Sequence, residues 1–167
     1  LPAGQGDYVL RPILPSPYWD PCQESYNVSF SANDSQAVHL DIPVQIEVEC
    51  PYLEVSIGTW ALRPCFVSTY TVQYCNLGTA VATDAYVEVT LDSLIVVDTA
   101  SIPYTLNNGI YTFPLGDIAA GDCGAFRIGV ILDCDAPVGM THCVEAHIFP
   151  DSLCIPTPDW SGASVAV

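Results

Sequence analysis

Hydrophobic and polar side chains alternate with a period of two along most of the chain. No segment sustains the period of about 3.6 residues that marks an amphipathic helix. Each alternating segment presents one apolar and one polar face, as an antiparallel strand buried on one side does. The pattern therefore predicts an all-β protein. The alternation is clearest in Tyr26–Phe30, Val44–Val48, Tyr70–Tyr74, Val87–Leu91, Phe126–Leu132 and Val144–Ile148.

Turn-forming sequences separate these segments. They contain glycine, asparagine, aspartate or proline, which tolerate positive φ or fix φ at a value that turns require. About seven strands between Pro51 and Phe149 fit a sandwich of roughly 100 residues. The sequence therefore predicts an Ig-like antiparallel β-sandwich, with turns at Asn76–Thr79, Asn107–Gly109, Ala119–Asp122 and Asp135–Gly139.

The chain divides into three parts on these patterns. A boundary is placed at Cys50–Pro51, because the preceding segment has its own alternating strands and a proline-rich loop at Arg11–Pro17. That preceding segment is short for a complete domain. We expect an N-terminal β module or partial module at residues 1–50, the sandwich at residues 51–155, and a C-terminal strand or linker at residues 156–167.

The charge of the chain is strongly negative. It has 19 acidic residues against three arginines, and its formal net charge at pH 7 is −16. This charge repels phosphate backbones and anionic lipid head groups, so we expect no nucleic acid partner and no binding to a membrane surface. No apolar run reaches the roughly 20 residues of a membrane-spanning helix, so no membrane insertion is expected. The cations are Arg11, Arg63 and Arg127.

Eight cysteines form an even and unusually large set. No two of them have the C-x-x-C spacing of zinc ribbons or redox motifs. Their spacing resembles one strand plus a turn, which favours disulfides and therefore an oxidising, extracellular or cell-surface location. The predicted disulfide cysteines are Cys22, Cys50, Cys65, Cys75, Cys123, Cys134, Cys143 and Cys154.

The expected pairing of these cysteines depends on strand direction. Two strands are predicted to run the same way, each with one cysteine near its start and another near its end. Nearly equal separations within the two strands favour bridges that join start to start and end to end. Each bridge stabilises a fold by about 2–4 kcal/mol, mainly by restricting the unfolded chain. The resulting hypothesis is Cys65–Cys123 and Cys75–Cys134, completed by Cys143–Cys154 and Cys22–Cys50.

A calcium site is the metal hypothesis that the sequence offers. Asp133 and Asp135, with Asp151 and Asp159 in reach, could supply oxygen ligands at one end of the sandwich. No loop follows the EF-hand pattern, and aspartates at strand ends and turns are ordinary. Asp133 and Asp135 are therefore either calcium ligands or ordinary turn residues, and no other cofactor is expected.

The sequence gives no catalytic constellation. It lacks the Gly-x-Ser-x-Gly run of a serine nucleophile. His39, His142 and His147 are scattered without metal-ligand spacing, and we expect them at the surface. Nothing selects a pair of carboxylates for glycoside hydrolysis from the 19 acidic residues. The chain is therefore predicted not to be an enzyme.

Aromatic residues support an alternative function. Tyr18, Trp19, Trp60 and Trp160 could form a face on which sugar rings stack, as in a carbohydrate-binding module of a secreted enzyme. That alternative predicts several exposed, coplanar rings on one face. Packing in the core or between modules explains the same residues equally well, so both interpretations stay open.

The segment from Cys50 to Cys154 resembles the "conserved repeat" and CARDB-type Ig-like domains of bacterial cell-surface proteins. The Asn-x-Gly-Thr turn between two strands is the most specific feature. The head, Leu1–Pro12, is similar to the end of a carboxypeptidase-regulatory-like module, and the tail, Asp159–Val167, resembles the opening strand of a further repeat. The residues that carry the main resemblance are Tyr70–Thr79, Ala85–Val89, Tyr111–Ile118 and Gly121–Phe126.

This resemblance implies a structural or adhesive unit of an extracellular filament, stalk or surface repeat protein. The expected partners are other copies of the chain or neighbouring repeats, with surface glycans as a further expectation. A terminal strand such as Ser161–Val167 or Asp7–Leu14 could complete the sheet of another subunit by strand exchange. Pairing of these strands only within their own chain would count against that mechanism.

Overall fold

The computed structural model divides the chain into two units, Leu1–Glu49 and Cys50–Val167. Asp159 and Trp160, which the sequence proposed for calcium and sugar binding, lie outside the described residues. The structure describes residues 5–31, 39–137, 139–151 and 154, and it describes the backbone of residues 161–166.

All regular structure in the described part of the chain is β-strand, as the alternating pattern predicts. No helix able to cross a membrane occurs among these residues. The strands are β1 (Gly6–Leu10), β2 (Trp19–Pro21), β3 (Tyr26–Phe30), β4 (Val44–Ile46), β5 (Leu53–Thr59), β6 (Val67–Asn76), β7 (Ala82–Leu91), β8 (Ile95–Ala100), β9 (Thr105–Asn107), β10 (Ile110–Ile118), β11 (Cys123–Leu132), β12 (Thr141–Phe149) and β13 (Ser161–Ala166).

The first unit contains two small antiparallel pairs. β1 pairs with β3, and β2 pairs with β4. The rings of Tyr8 and Phe30 meet edge to face across the first pair, with centroids 5.7 Å apart. Tyr18 is buried, and its carbonyl accepts a hydrogen bond from the Glu47 N–H at 2.9 Å.

The second unit is an Ig-like sandwich of two antiparallel sheets. One sheet has the strand order β13-β12-β7-β10-β9, and the other has the order β5-β6-β11-β8. The described residues between Pro51 and Phe149 form eight strands, one more than the turn spacing suggests. The additional strand is the three-residue β9, which joins β10 through Asn108 and Gly109. Both residues have positive φ (49° and 85°), as the two-residue hairpin turn between these strands requires.

The core lies between the two sheets and consists of the apolar faces that the alternation predicts. Phe113 of β10 and Phe126 of β11 connect the sheets, with ring centroids 4.8 Å apart. Fully burying one such side chain contributes about 1.5–3 kcal/mol, so these faces supply most of the stability. Residues with at most 1% exposure include Tyr70, Val72, Val87, Val89, Phe113, Ile128, Val130, Leu132, Val144 and Ala146.

The disulfide pairing in the structure differs from the expected pairing, which is wrong. β6 and β11 are antiparallel neighbours in one sheet, not strands running the same way, so the start of one lies beside the end of the other. The cysteines therefore join start to end. The structure has Cys75–Cys123, Cys65–Cys134 and Cys50–Cys154, in place of the expected Cys65–Cys123, Cys75–Cys134, Cys143–Cys154 and Cys22–Cys50.

Two cysteines that were expected in disulfides are free. Cys22 and Cys143 are both exposed thiols, the former in the first unit and the latter on β12. One histidine also departs from expectation. His142 precedes Cys143 on β12, and because side chains alternate across a strand, its ring points into the core and is fully buried. His39 is exposed and His147 is half-buried.

Candidate functional site

An open cleft lies on the outer face of the four-stranded sheet. Its floor is a row of cross-strand partners, Gly58 of β5, Thr71 of β6 and Arg127 of β11. The cleft has a volume of about 540 Å³. Thr59 and Trp60 at the end of β5, and Thr69 of β6, complete its lining.

Gly58 leaves the depression in this face, whereas the space beside a second glycine, Gly129, is filled. Gly58 has no side chain, and a Cβ built there would have no atom within 4 Å. Gly129 lies opposite Thr69 on the neighbouring strand, and its lack of a side chain makes room for Thr99 of β8. Because a glycine in a strand removes packing area, its presence often marks a close approach by another group.

Trp60 is the most exposed large apolar residue described, with its side chain entirely in solvent. It follows β5 directly. The end of that strand is fixed, because the Thr59 hydroxyl donates to the Thr69 carbonyl at 2.8 Å. The exposed indole presents a large apolar surface that a ligand can cover, and polar groups beside it can orient that ligand. The hydroxyls of Thr69 and Thr71 are such groups.

Arg127 supplies the only charge in the lining. Its backbone is held on both sides by Ser101, whose N–H donates to the Arg127 carbonyl at 2.9 Å and whose Oγ accepts from the Arg127 N–H at 2.9 Å. Within the described residues, every ion pair joins a histidine to an aspartate, so the Arg127 guanidinium has no carboxylate partner there. The side chain is exposed and available for an anion.

A second arginine lies in the loop that leads from β5 to β6. Arg63 stands over the ring of Phe66, with its guanidinium carbon 5.3 Å from the ring centroid. Phe66 and Val67 are both exposed. Two of the three arginines of this acidic chain therefore belong to the sheet and loop that carry the cleft.

The aromatic residues proposed from the sequence do not form one face. Tyr18 is buried in the first unit, and Trp19 beside it is only partly exposed. Of the aromatic residues in that set that the structure describes, Trp60 alone presents its ring fully to solvent. Sequence reasoning missed Gly58, Thr71 and Arg127, although the run of threonines on the polar face of β6 was a visible signal.

The proposed calcium ligands lie in a turn after β11. The Asp133 carboxylate accepts a hydrogen bond from the Asp135 N–H at 2.8 Å, and both side chains are exposed. Asp151 instead contacts His147, with 2.6 Å between its carboxylate and the ring Nε2. No group of three or more potential metal ligands converges among the described residues. Calcium at Asp133 and Asp135 stays a prediction.

A buried polar cluster lies inside the sandwich. His142 Nδ1 is 3.4 Å from Asp92 Oδ1, but neither ring nitrogen of His142 makes a hydrogen bond, and neither does the Tyr70 hydroxyl. Burial, with smaller contributions from Asp92 and Cys143, raises the pKa of Tyr70 to about 12. The side chains of His142 and Tyr70 are fully buried, so they cannot contact a ligand, and the cleft is the better candidate site.

Comparisons with known proteins identify the fold of the sandwich. No protein-family model and no curated protein matches the chain. The CARDB domain of the PF1109 protein from Pyrococcus furiosus, solved with di-metal ions, is 14% identical over 71% of this chain and 89% of its own, with a TM-score of 0.51.

A cohesin of Acetivibrio cellulolyticus, the third cohesin of ScaC solved in complex with the ScaB dockerin, is 13% identical over 70% of this chain and 100% of its own, with a TM-score of 0.50. Similarity at this identity shows the fold and not the activity. The share of this chain that both structures cover is about that of the sandwich unit. The sandwich therefore has the fold of a CARDB-type Ig-like domain, as the resemblance in the sequence indicated.

Proposed function

We propose that the chain is a load-bearing, structural or adhesive unit of an extracellular filament, stalk or surface repeat protein. The observation that carries this proposal is the nesting of the three disulfides. Cys75–Cys123 lies within the loop closed by Cys65–Cys134, and that loop lies within the one closed by Cys50–Cys154. Such bridges persist in oxidising, extracytoplasmic surroundings, which supports the proposed location.

The nested order determines how the sandwich responds to a pull on the chain. Force that enters before Cys50 and leaves after Cys154 passes through the outermost bond, because that bond joins residues 104 apart in sequence. The strands from β5 to β12 lie inside the closed loop and carry none of the load. A sandwich whose strands were held together only by hydrogen bonds would extend under the same pull.

The same argument separates the roles of the three bridges. The cysteines of the outermost bridge, Cys50–Cys154, are 104 residues apart in sequence, and those of Cys65–Cys134 are 69 residues apart, which is a difference of 35 residues. These 35 residues include all of β5 and β12. Without Cys50–Cys154, a pull would strip these two strands and then stop at Cys65–Cys134.

Single-molecule force spectroscopy tests the proposal. The oxidised chain, placed between marker domains in a polyprotein, should show no extension from residues 50–154. The double variant Cys50→Ala/Cys154→Ala should release about 12 nm, and full reduction about 35 nm, at roughly 3.4 Å per residue. The variant Cys75→Ala/Cys123→Ala is the matched control and should behave as the parent does. Release of the whole sandwich in the oxidised parent would contradict the load-bearing role.

Surface location is tested separately from mechanics. An antibody raised against the chain should label intact, unpermeabilised cells of the source organism. Labelling that requires permeabilisation would contradict the extracellular assignment. The partners we propose are neighbouring repeats or other copies of the chain, and the dockerin bound to the cohesin neighbour supports protein–protein assembly by a sandwich of this kind.

Assembly by strand exchange is the finer part of the proposal. Both strands suggested for it pair inside their own chain, β1 with β3 and β13 with β12, which counts against free donor strands. Exchange then requires β13 to leave its own β12 and pair with that of another copy in the same antiparallel register. Cross-linking between Glu145→Cys and Gly162→Cys, which are register partners, with Cys22 and Cys143 replaced by serine, should give dimers if exchange occurs and only intramolecular bonds if it does not.

We also propose that the unit has no catalytic activity. The buried Tyr70 and His142 are out of reach of a substrate, and the described carboxylates do not converge with a histidine or cysteine into a group of three. A screen of the purified chain with chromogenic glycoside and ester substrates should give only background hydrolysis. Turnover that survives purification to homogeneity would overturn this assignment.

A further inference from the structure

We propose that the cleft between Trp60 and Arg127 binds an acidic saccharide, a chain of pyranose rings that carry carboxylates. The inference does not depend on the load-bearing role, because the cleft lies on the outer face of the sheet and involves none of the disulfides. Its parts are one exposed indole, three threonines, one guanidinium and the open space above Gly58.

The indole supplies the stacking surface. Sugar rings present a face of C–H groups that packs on aromatic rings, and tryptophan offers the largest such area. Trp60 packs against nothing that would need its ring in this position, since the side chain is fully exposed. Its place at the rim of the cleft allows one pyranose to lie on the ring while the next enters above Gly58.

The polar groups match the rest of a saccharide. The Thr69 and Thr71 hydroxyls can each donate and accept a hydrogen bond, as sugar hydroxyls also do. The Arg127 guanidinium has a planar set of donors that fits a carboxylate in a bidentate pair. Thr71 and Arg127 are direct cross-strand partners, so a ligand bound to one reaches the other.

The unpaired charge of Arg127 favours an acidic ligand over a neutral one. A neutral sugar would cover the guanidinium and remove water from it without returning an opposite charge, which costs free energy. The net charge of −16 opposes anions at long range, but salt screens it beyond about 10 Å at 0.1 M. A carboxylate in contact with Arg127 is within that distance, whereas a long phosphate backbone would extend beyond the single arginine of the lining.

The size of the cleft favours a saccharide over a protein. Ligand clefts have volumes of roughly 300–1,000 Å³, and this one has about 540 Å³. A stable protein interface buries about 800 Å² on each partner, which six lining residues do not provide. A protein partner is therefore an outcome that the experiment must be able to detect.

Titration calorimetry with oligosaccharides of defined length provides the test. The probes are tetramers of galacturonate, glucuronate and mannuronate, and each is compared with its methyl-esterified form, which has the same ring and no charge. We expect at least one acidic tetramer to bind, and its ester to bind at least about 10-fold more weakly. Affinity for the acidic form should fall as NaCl is raised from 50 to 300 mM.

Variants locate the binding. Trp60→Ala and Arg127→Ala should each weaken binding about 10-fold or more, and Arg127→Lys should restore part of it, because lysine keeps the charge but not the bidentate geometry. Gly58→Val should fill the cleft and abolish binding without affecting the fold, since the site has open space and an ordinary φ. Glu88→Gln, on the opposite sheet, is the matched control and should leave binding unchanged.

Three results would overturn the proposal. One is the absence of binding by every acidic tetramer at millimolar concentration. Another is equal binding of the acidic and esterified forms, which would remove the role of Arg127. The third is self-association in sedimentation equilibrium that Trp60→Ala or Gly58→Val abolishes, which would show that the cleft contacts a second copy of the chain.

Discussion

The side-chain amide of Asn76 donates a hydrogen bond of 2.9 Å to the backbone carbonyl of Ile118. Asn76 ends β6 in one sheet and Ile118 ends β10 in the other, so this bond ties the two sheets together. The same amide donates to the Ala80 carbonyl at 2.8 Å, and its oxygen accepts from the N–H groups of Tyr52 and Gly78 at 3.1 and 3.0 Å. One buried side chain therefore satisfies four backbone groups.

Replacement of Asn76 by alanine should lower the free energy of unfolding by about 3 kcal/mol or more, because it leaves buried backbone groups without partners. Urea unfolding followed by tryptophan fluorescence measures the change. Asn76→Asp is the control for shape, and it should be at least as destabilising because a carboxylate cannot donate to Ala80 and Ile118. A loss below 1 kcal/mol in both variants would contradict the role given to Asn76.

Gly78 is required for close approach of the chain. A Cβ at this position would overlap the Cys50 carbonyl and the Tyr52 N–H, which are backbone atoms that cannot rotate away. Gly78→Ala should therefore destabilise the sandwich by about 1–3 kcal/mol, as at other overpacked sites. Gly58→Ala is the matched control, because its Cβ has open space and alanine is no worse than glycine in a strand. Equal thermal midpoints for the two variants would refute this account.

The buried hydroxyl of Tyr70 makes stability depend on alkaline pH. Burial raises the pKa of Tyr70 from its usual 10 to about 12. The unfolded chain then loses this proton at a lower pH than the folded chain. The contribution of the protonated Tyr70 to the free energy of unfolding is therefore fully present below pH 10 and is lost as pH rises toward 12. The loss amounts to about 3 kcal/mol over that interval, at about 1.4 kcal/mol per pKa unit.

Tyr70→Phe isolates this effect. We expect the variant to be as stable as the parent or slightly more stable at pH 8, because it removes a buried hydroxyl with no hydrogen-bond partner. Between pH 10 and pH 12 its free energy of unfolding should fall by about 3 kcal/mol less than that of the parent. Urea titrations at a series of pH values measure the difference, and parallel pH profiles for the two proteins would count against the shifted pKa.

The disulfide assignment predicts a labelling pattern. Iodoacetamide added to the denatured, unreduced chain should modify two thiols, those of Cys22 and Cys143. Peptide mapping by mass spectrometry should then recover the three bridges Cys50–Cys154, Cys65–Cys134 and Cys75–Cys123. Recovery of Cys65–Cys123 or Cys75–Cys134 would instead support the pairing expected from the sequence. Labelling of other cysteines would show that a bridge is open.

Local patterns in the sequence predict most of the fold. The alternation at Val87–Leu91 and Val144–Ile148 places the correct side chains in the core, because the period of two leaves one choice of buried face. The Asn-x-Gly-Thr turn pointed to a connection between strands, and the structure gives Asn76 and Gly78 of that turn specific roles.

The long-range features could not be predicted in this way. The pairing of Cys65 with Cys134 depends on β6 and β11 being antiparallel neighbours, and strand order is a property of the whole sheet. The burial of His142, by contrast, follows from the alternation at Val144–Ile148, because a residue two positions before Val144 lies on the same face of the strand. The cleft brings Gly58, Thr71 and Arg127 together from three strands, so no local motif could contain it.

The last strand of the sandwich has no covalent protection. β13 begins at Ser161, beyond the outermost bridge at Cys154, and it joins the sheet through its ladder with β12. A load on the chain would remove β13, while β5 to β12 stay in place inside the outermost bridge. The backbone groups along β12 would then become free to pair with a strand from another molecule. Mechanical stretching could thus act as the trigger for assembly, exposing an adhesive edge in those units that are under strain.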